Sequence, residues 1–324
     1  METLRQRIAD DKDLMRVIAN TSPENVALDQ TCRILFAAMD YLGEKHGFEI
    51  PADETWTSFR RFRKSLLEHD NELLELLQRP VQVNDPLRCV ALYAGLLFAA
   101  AQTSLPLALV EVGPSLGLNL CMDRYCYEYL NLGKTGQLDS RCLLIAELDN
   151  LAARGRLRKR QTFQFPDKPP VIGERIGLEL HPVRMNDNNL AWMRSFHFRH
   201  SKSRFDEALA IRLTTSIRIV EGNAAETLQR EVSHIPADQV PLVFHTAVAY
   251  QMPESVREQF SRNLATAARG RRLIYMTWAE ETARRGAILQ VTDLNLAEGH
   301  AQRNLLAFAS RWEPVPKIDW VHAL

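Results

Sequence analysis

The 324 residues are 46% apolar and 25% charged, with 14 glycines and 15 prolines, a composition that excludes disordered, collagenous and low-complexity chains. Forty Lys plus Arg balance forty Asp plus Glu, so no global field draws the chain onto nucleic acid or anionic lipid, and neither is expected as a partner. Cys32, Cys89, Cys121, Cys126 and Cys142 form no CxxC pair and read as reduced thiols of a cytoplasmic protein; the charged opening METLRQRIADDKDL leads us to expect no export signal.

Residues 1–105 read as a helical N-terminal extension. Leu4, Ile8, Leu14 and Ile18 make one apolar stripe at helical spacing, and Val26, Cys32, Leu35, Phe36, Met39 and Leu42 make a second. Ser22-Pro23-Glu24 opens that second helix with a cap, a proline in the first turn and an acid near the positive dipole end. Phe59, Phe62, Leu66, Leu73, Leu74 and Leu77 mark a third helical region. In VQVNDPLRC the polar residues Gln82, Asn84, Asp85 and Arg88 crowd the start of an apolar helix from Cys89 to Ala101, which falls short of the ~20 residues of a membrane span. Pro86 favours an extended Asp85 and a helix start just beyond it. These four side chains are candidate substrate contacts in a cap over an active-site mouth, with a capping network around Asp85 as the alternative.

From residue 106 to 324 short apolar runs alternate with helical stretches: Leu107 to Val112, Arg175 to Leu180, Ile217 to Glu221, Val240 to Ala249 and Leu273 to Thr277. Such runs predict a parallel sheet buried on both faces in a doubly wound α/β domain. Residues 141–165, with a basic turn, read as an inserted β-hairpin, and Ala287 to Trp320 as a closing antiparallel pair. The run of Arg154, Arg156, Arg158, Lys159 and Arg160 reads as the charged hairpin tip that protects a sheet edge.

The stretch LALVEVGPSLGLNLCMDRY carries the most chemistry. An apolar strand ending near Glu111 runs into a turn with Gly113 and Gly117, where glycine lets the backbone bend and approach a ligand, and a helix is predicted from about Leu118. The spacing does not fit the dinucleotide fingerprint G-x-G-x-x-G. An acid two residues before the first glycine resembles motif I of class I S-adenosylmethionine-dependent methyltransferases, an acid followed by G-x-G-x-G, with Ser115 replacing the middle glycine. Gly113 to Gly117 also spells G-x-S-x-G, the nucleophile elbow of α/β-hydrolases, with Ser115 as nucleophile. That fold requires strands and an oxyanion loop before the elbow, which residues 1–105 do not offer.

Downstream segments follow the same order. Glu179 ends the second core strand, where a carboxylate accepts ribose hydroxyls. Asn223, in Gly222-Asn223-Ala224, resembles the G-D-A turn that borders adenine in many methyltransferases. His245 and Tyr250 follow the fourth strand as candidate catalytic residues, His245 as a general base with an ordinary pKa near ~6.5 or as a hydrogen-bonded core residue. No metal is expected: His197 and His200 in HFRH lack a third ligand.

Taken together, VQVNDPLRC, VEVGPSLGLNLCMDRY, RIGLELHPV, GNAAETL and VFHTAVAYQMP resemble a bacterial family catalogued as a domain of unknown function. Its pattern reads Q-T-N-E, E-V-G-A-S-A-G-L-N-L, R-x-G-x-D-L-x-P and H-S with a following tyrosine, and the likeness spans most of residues 80–255. It implies a Rossmann core similar to class I methyltransferases with a helical extension. Here Val83 replaces threonine, Asp85 glutamate and Glu179 aspartate, Trp192-Met193 precedes a divergent FHFRH, and of a C-terminal histidine-glycine-tryptophan only Asp319-Trp320 remains. The expected function is methyl transfer from S-adenosylmethionine, bound by Glu111, Gly113, Ser115, Gly117, Asn119, Glu179 and Asn223, to a small molecule. The departures keep open a catalytically silent module that binds a nucleoside ligand or a partner protein.

Overall fold

The computed structural model describes residues 2–19, 28–51, 55–130, 132–150, 169–281, 286–311 and 315–320. The chain forms two compact units, Met1–Val83 with Arg184–Ser203, and Asn84–Val183 with Arg204–Leu324.

The first unit is helical. The first apolar stripe becomes α1 (Glu2–Asp10) and α2 (Lys12–Ile18), separated because the Asp11 side chain accepts from the backbone N–H groups of Asp13 and Leu14 and starts a new helix. The second becomes α3 (Leu28–His46); its expected start at Ser22-Pro23-Glu24 lies outside the described residues. The third region is two helices, α4 (Trp56–Leu67) and α5 (Asp70–Leu77), because His69 leaves helical geometry at φ −121°. Leu14, Ile34, Leu42, Phe62, Leu66, Leu73 and Leu77 are buried in this unit. After α6 (Cys89–Ala101), which lies in the second unit, α7 (Asp187–Ser195) returns to the first and packs on α3, with Trp192 edge-on to Tyr41. Lys202 is buried and held by the carboxylates of Asp40 and Glu44.

The second unit is α/β and built on one mixed eleven-stranded sheet. Its strands are β1 (Leu107–Val112), β2 (Cys126–Tyr129), β3 (Gly133–Gly136), β4 (Leu143–Asn150), β5 (Ile172–Glu179), β6 (Arg218–Glu221), β7 (Val240–Thr246), β8 (Leu273–Glu281), β9 (Gly286–Asn295), β10 (His300–Arg311) and β11 (Lys317–Trp320). They lie in the order β3-β2-β4-β11-β10-β9-β8-β7-β1-β5-β6. β6, β5, β1, β7 and β8 run parallel, and each of the five predicted core strands is one of them. Among the parallel strands chain order runs outward from β1 to β5 and β6 on one side and to β7 and β8 on the other, so it reverses between β1 and β7. β8, β9, β10 and β11 are joined by antiparallel pairings, longer than the expected closing pair. The helices α8 (Lys202–Leu213), α9 (Ala224–His234) and α10 (Glu254–Gly270) connect the parallel strands. α9 and α10 cover one face through Ala225, Leu228, Val232, Phe260, Leu264 and Ala268, whereas α6 is buried almost throughout and touches β4, β8 and β9.

Two expectations change. The first half of the predicted hairpin over 141–165 is β4, which pairs parallel with β2 and β11 at the far side of the sheet, and residues 151–168, including the basic run, lie outside the described residues. After the glycine turn the predicted helix is a 3-10 segment, Asn119–Arg124, followed directly by β2, so Cys126 is a strand residue. The reason is the alternation of Tyr125, Tyr127 and Tyr129, a period of two that buries three rings on one face. Their hydroxyls donate to the carbonyls of Leu118, Met122 and Val90. Arg175 of β5 closes the segment with a bidentate pair to Asp123 (2.6 and 2.7 Å) and a bond to the Leu120 carbonyl. The five cysteines form no disulfide, and no described helix is long and apolar enough to cross a membrane.

Arg175 is 7% exposed and Asp123 15% exposed. Replacing one partner of such a pair leaves an uncompensated buried charge. Asp123→Ala is therefore expected to lower unfolding stability by about 3–5 kcal/mol in urea titration; a loss under ~1 kcal/mol would show that the pair behaves as a surface one.

Candidate functional site

Four backbone N–H groups hold the turn between β1 and the 3-10 segment, two donating to carbonyls and two to side-chain oxygens. Gly113 N donates to Leu178 O (2.9 Å), Ser115 N to Glu179 Oε2 (2.9 Å), Gly117 N to Pro114 O (2.8 Å) and Leu118 N to Asn84 Oδ1 (3.1 Å). Gly113 is needed for its φ of 67° and because a Cβ there would fall 2.7 Å from Val248 Cγ2, in the turn after β7. Ser115 takes φ 53° and Ala247, after β7, φ 54°. Non-glycine residues in this region cost on the order of 1–3 kcal/mol, and such strain concentrates at ligand sites. Both lie where strand order reverses, the place at which open α/β sheets bind ligands. Gly117, at φ 81°, faces Arg212 instead, whose Nε lies 3.1 Å from the position of a Cβ and donates to Leu116 O.

The pleat then sorts the side chains. Glu111 is in register with Gly177 on β5 and Phe244 on β7, so Glu111, Glu179 and Thr246 project from one face. Glu111 is fully buried; its Oε1 accepts from Asn119 Nδ2 (2.7 Å), and Asn119 Oδ1 accepts from the Cys89 thiol (3.3 Å). Arg88 Nη1 donates to Thr246 Oγ1 (3.2 Å), and its charge acts on Glu111. Glu179 Oε1 accepts from His181 N (3.2 Å), so each of its oxygens holds one backbone N–H. Asp85 Oδ1 accepts from Leu87 N (2.9 Å) as the cap of a short 3-10 turn, and Asn84 is buried under the glycine turn. Of the four proposed substrate contacts, Arg88 alone reaches the end of β7, Asn84 and Asp85 anchor backbone, and Gln82 lies in the first unit. Asn223 caps α9 through Ala225 N (2.9 Å), and the neighbouring Gly222 N binds the Glu179 carbonyl.

His245 pairs with Val112 in register and therefore faces the α9 and α10 side, opposite Glu111. It is 5% exposed, with Nε2 2.8 Å from the Tyr275 hydroxyl. Tyr275 packs against Phe260. This is the hydrogen-bonded core position that a strand-end histidine takes, and burial lowers its pKa to about 4 instead of the ordinary value. Tyr250 lies on the turn Ala249–Gln251, and its side chain is outside the described set. The sequence places Thr246 beside His245 at the carboxyl end of the fourth strand, whereas Tyr275 escapes it, because the β7–β8 register that brings Tyr275 to His245 has no local signature.

Three buried polar atoms at these strand ends have no hydrogen-bond partner: Glu111 Oε2, Ser115 Oγ and His245 Nδ1. Orphaned polar groups are costly and point to a bound solvent or ligand group. Burial raises the Glu111 pKa to about 8, against the Asn119 hydrogen bond and the Arg88 charge that pull it down. At neutral pH the protonated form therefore predominates, with Oε1 accepting from Asn119 and Oε2 lacking a protein partner. A cavity of about 500 Å³ lies elsewhere in the same unit, lined by Asp123, Arg124, Gln137, Asp139, Arg141 and Thr214, none of them a sequence-predicted site residue.

A family model described as an uncharacterised protein conserved in bacteria (DUF2332) matches residues 1–313. No curated protein and no solved structure matches the chain.

The Glu111 shift has a definite sign. Below pH 4.5, its ordinary pKa, the carboxyl is protonated in folded and unfolded chains alike; between 4.5 and about 8 only the unfolded chain ionises, so stability falls across that window and levels off above it. Glu111→Gln removes this loss. The stability difference, variant minus wild type, is expected to grow by a few kcal/mol from pH 4.5 to 8 in denaturant titrations; a difference independent of pH would contradict the buried neutral carboxyl.

Proposed function

The chain belongs to this bacterial family, and we propose that the carboxyl edge of β1, β5 and β7 binds S-adenosylmethionine and directs methyl transfer to a small molecule. The observation that carries the reading is the bond from Ser115 N to Glu179 Oε2. It joins a glycine turn to the acid of the neighbouring strand, 64 residues away in sequence, at the reversal of strand order. The parallel order β6-β5-β1-β7-β8 is the arrangement of doubly wound nucleotide-binding sheets. Each Glu179 oxygen accepts one backbone N–H and keeps a lone pair, enough for two ribose hydroxyls. Asn223 uses Oδ1 as a cap, which leaves its Nδ2 to donate to an adenine edge. Glu111, protonated, adds a donor on the same face as Glu179.

When bound, S-adenosylmethionine would supply an electrophilic methyl group, with Glu179 and Asn223 holding its nucleoside part at the strand ends. The protein's share is position and exclusion of water. His245, facing the other side of the sheet with a pKa of about 4, is a weak base at neutral pH, so the reading rests on placement and not on proton abstraction by this histidine.

A second reading, a binding module without turnover, is favoured by the use of Asn84, Asp85 and Glu179 as backbone anchors. The hydrolase reading has one feature in its favour, the left-handed Ser115. Its hydroxyl, however, has no hydrogen-bond partner, and His245 faces the opposite side of the sheet from Glu111.

Calorimetric titration with S-adenosylhomocysteine is expected to show one site, weakened about tenfold or more in Glu179→Gln. Absence of binding to the wild type would contradict the cofactor assignment, and binding without any methylated product across acceptors would favour the silent module. A fluorophosphonate probe is expected to leave Ser115 unlabelled; stoichiometric labelling lost in Ser115→Ala would establish a hydrolase in its place.

A further inference from the structure

The helical unit holds a cluster that the site above does not use. His46 is the last residue of α3, His69 immediately precedes α5, and Glu72 lies in the first turn of α5. His46 Nε2 is 3.0 Å from Glu72 Oε1, and His69 Nδ1 is 3.9 Å from the same oxygen. One ligand atom from each residue lies within 4.8 Å of the other two. The second oxygen of Glu72 is held by the Lys45 ammonium. The imidazole rings are stacked, with centroids 3.6 Å apart and planes 10° apart.

We propose that His46, His69 and Glu72 bind one divalent transition-metal ion, with zinc as the occupant. Two imidazole nitrogens and one carboxylate oxygen are a donor set that suits zinc, with bonds of ~2.0–2.1 Å that set neighbouring ligand atoms roughly 3.3 Å apart. The separations of 3.0 and 3.9 Å bracket that spacing. His69 and Glu72, three residues apart, present their ligand atoms from one side of a helix start, and His46 arrives from a second helix that packs on it. Both helices are fixed from beneath by buried Leu42, Leu73 and Leu77, so the ligands stand on a rigid base. The side chains are 21%, 28% and 35% exposed, which leaves an open position for water as a fourth ligand. Binding requires the two rings to turn out of the stack so that each aims a nitrogen at the ion, while the Lys45 ammonium on the other oxygen of Glu72 opposes the ion's positive charge. The ion then clips the end of α3 to the start of α5.

The test uses the full-length protein, stripped with a chelator and titrated with zinc chloride. Expected are one equivalent bound and a rise in Tm, because a ligand of the folded state stabilises it. His69→Ala and Glu72→Gln are each expected to weaken binding by about tenfold or more, whereas Lys45→Gln is expected to tighten it by removing the competing ammonium. Cobalt(II) added to the stripped wild-type protein should give the visible absorption of tetrahedral coordination, a readout independent of how well any variant folds. No zinc uptake, uptake unchanged in His69→Ala and Glu72→Gln, or weaker binding in Lys45→Gln would overturn the proposal and leave the cluster as an ion pair between helices.

Discussion

The carboxylate of Glu179 ties the candidate site together. One oxygen accepts from Ser115 N and the other from His181 N, while the residue's own carbonyl accepts from Gly222 N. One side chain and its backbone thus set the turn after β1, the exit from β5 and the turn after β6 in fixed relation. The conformation of Ser115 follows from this constraint, since a left-handed serine persists only where its surroundings over-determine it. Val248 approaching Gly113 brings the turn after β7 against the same loop, so three strand ends meet at the reversal of chain order.

The polar face of β1 is organised by a different rule. Glu111 is enclosed by α6 and the 3-10 segment, and burial keeps its carboxyl neutral despite the Arg88 charge. Asn119 Nδ2 donates to one of its oxygens, the Cys89 thiol donates to Asn119 Oδ1, and Arg88 donates to Thr246 at the next strand end. The orphaned Oε2 of Glu111 and Oγ of Ser115 are what this packing leaves unsatisfied. On the opposite face the same sheet buries His245 against Tyr275, and desolvation holds the imidazole neutral with little capacity to take a proton near pH 7.

Much of this was legible in the sequence. Leu107 to Val112 and Cys89 to Ala101 are a strand and a helix with the predicted bounds, because runs of apolar residues with no polar face can only be buried throughout. Glu111, the glycine turn and Glu179 were named from local pattern, and the fold brings them together. The sequence misled where two periodicities compete. Leu118 to Met122 suggested a helix, but the tyrosines at 125, 127 and 129 impose a strand, and the salt bridge from Arg175 that stabilises it is 52 residues away. His245 was legible as a strand-end residue, but its face is decided by register against Val112, which no local signal reports. The same holds for Gln82 and Asn84, two residues apart but in different units. The His46, His69 and Glu72 cluster escaped notice for a related reason: its members are spaced 23 and three residues apart, and only the packing of α3 on α5 unites them.

The central claim is that the strand ends of β1, β5 and β7 form a nucleoside-binding edge. A crystal structure of the protein with S-adenosylhomocysteine tests it most directly. The account predicts ligand density at that edge, with the ribose hydroxyls within hydrogen-bond distance of Glu179 and the adenine beside Asn223. Density in the cavity lined by Asp123, Arg124 and Thr214, or a fully ligand-free edge at saturating concentration, would contradict it.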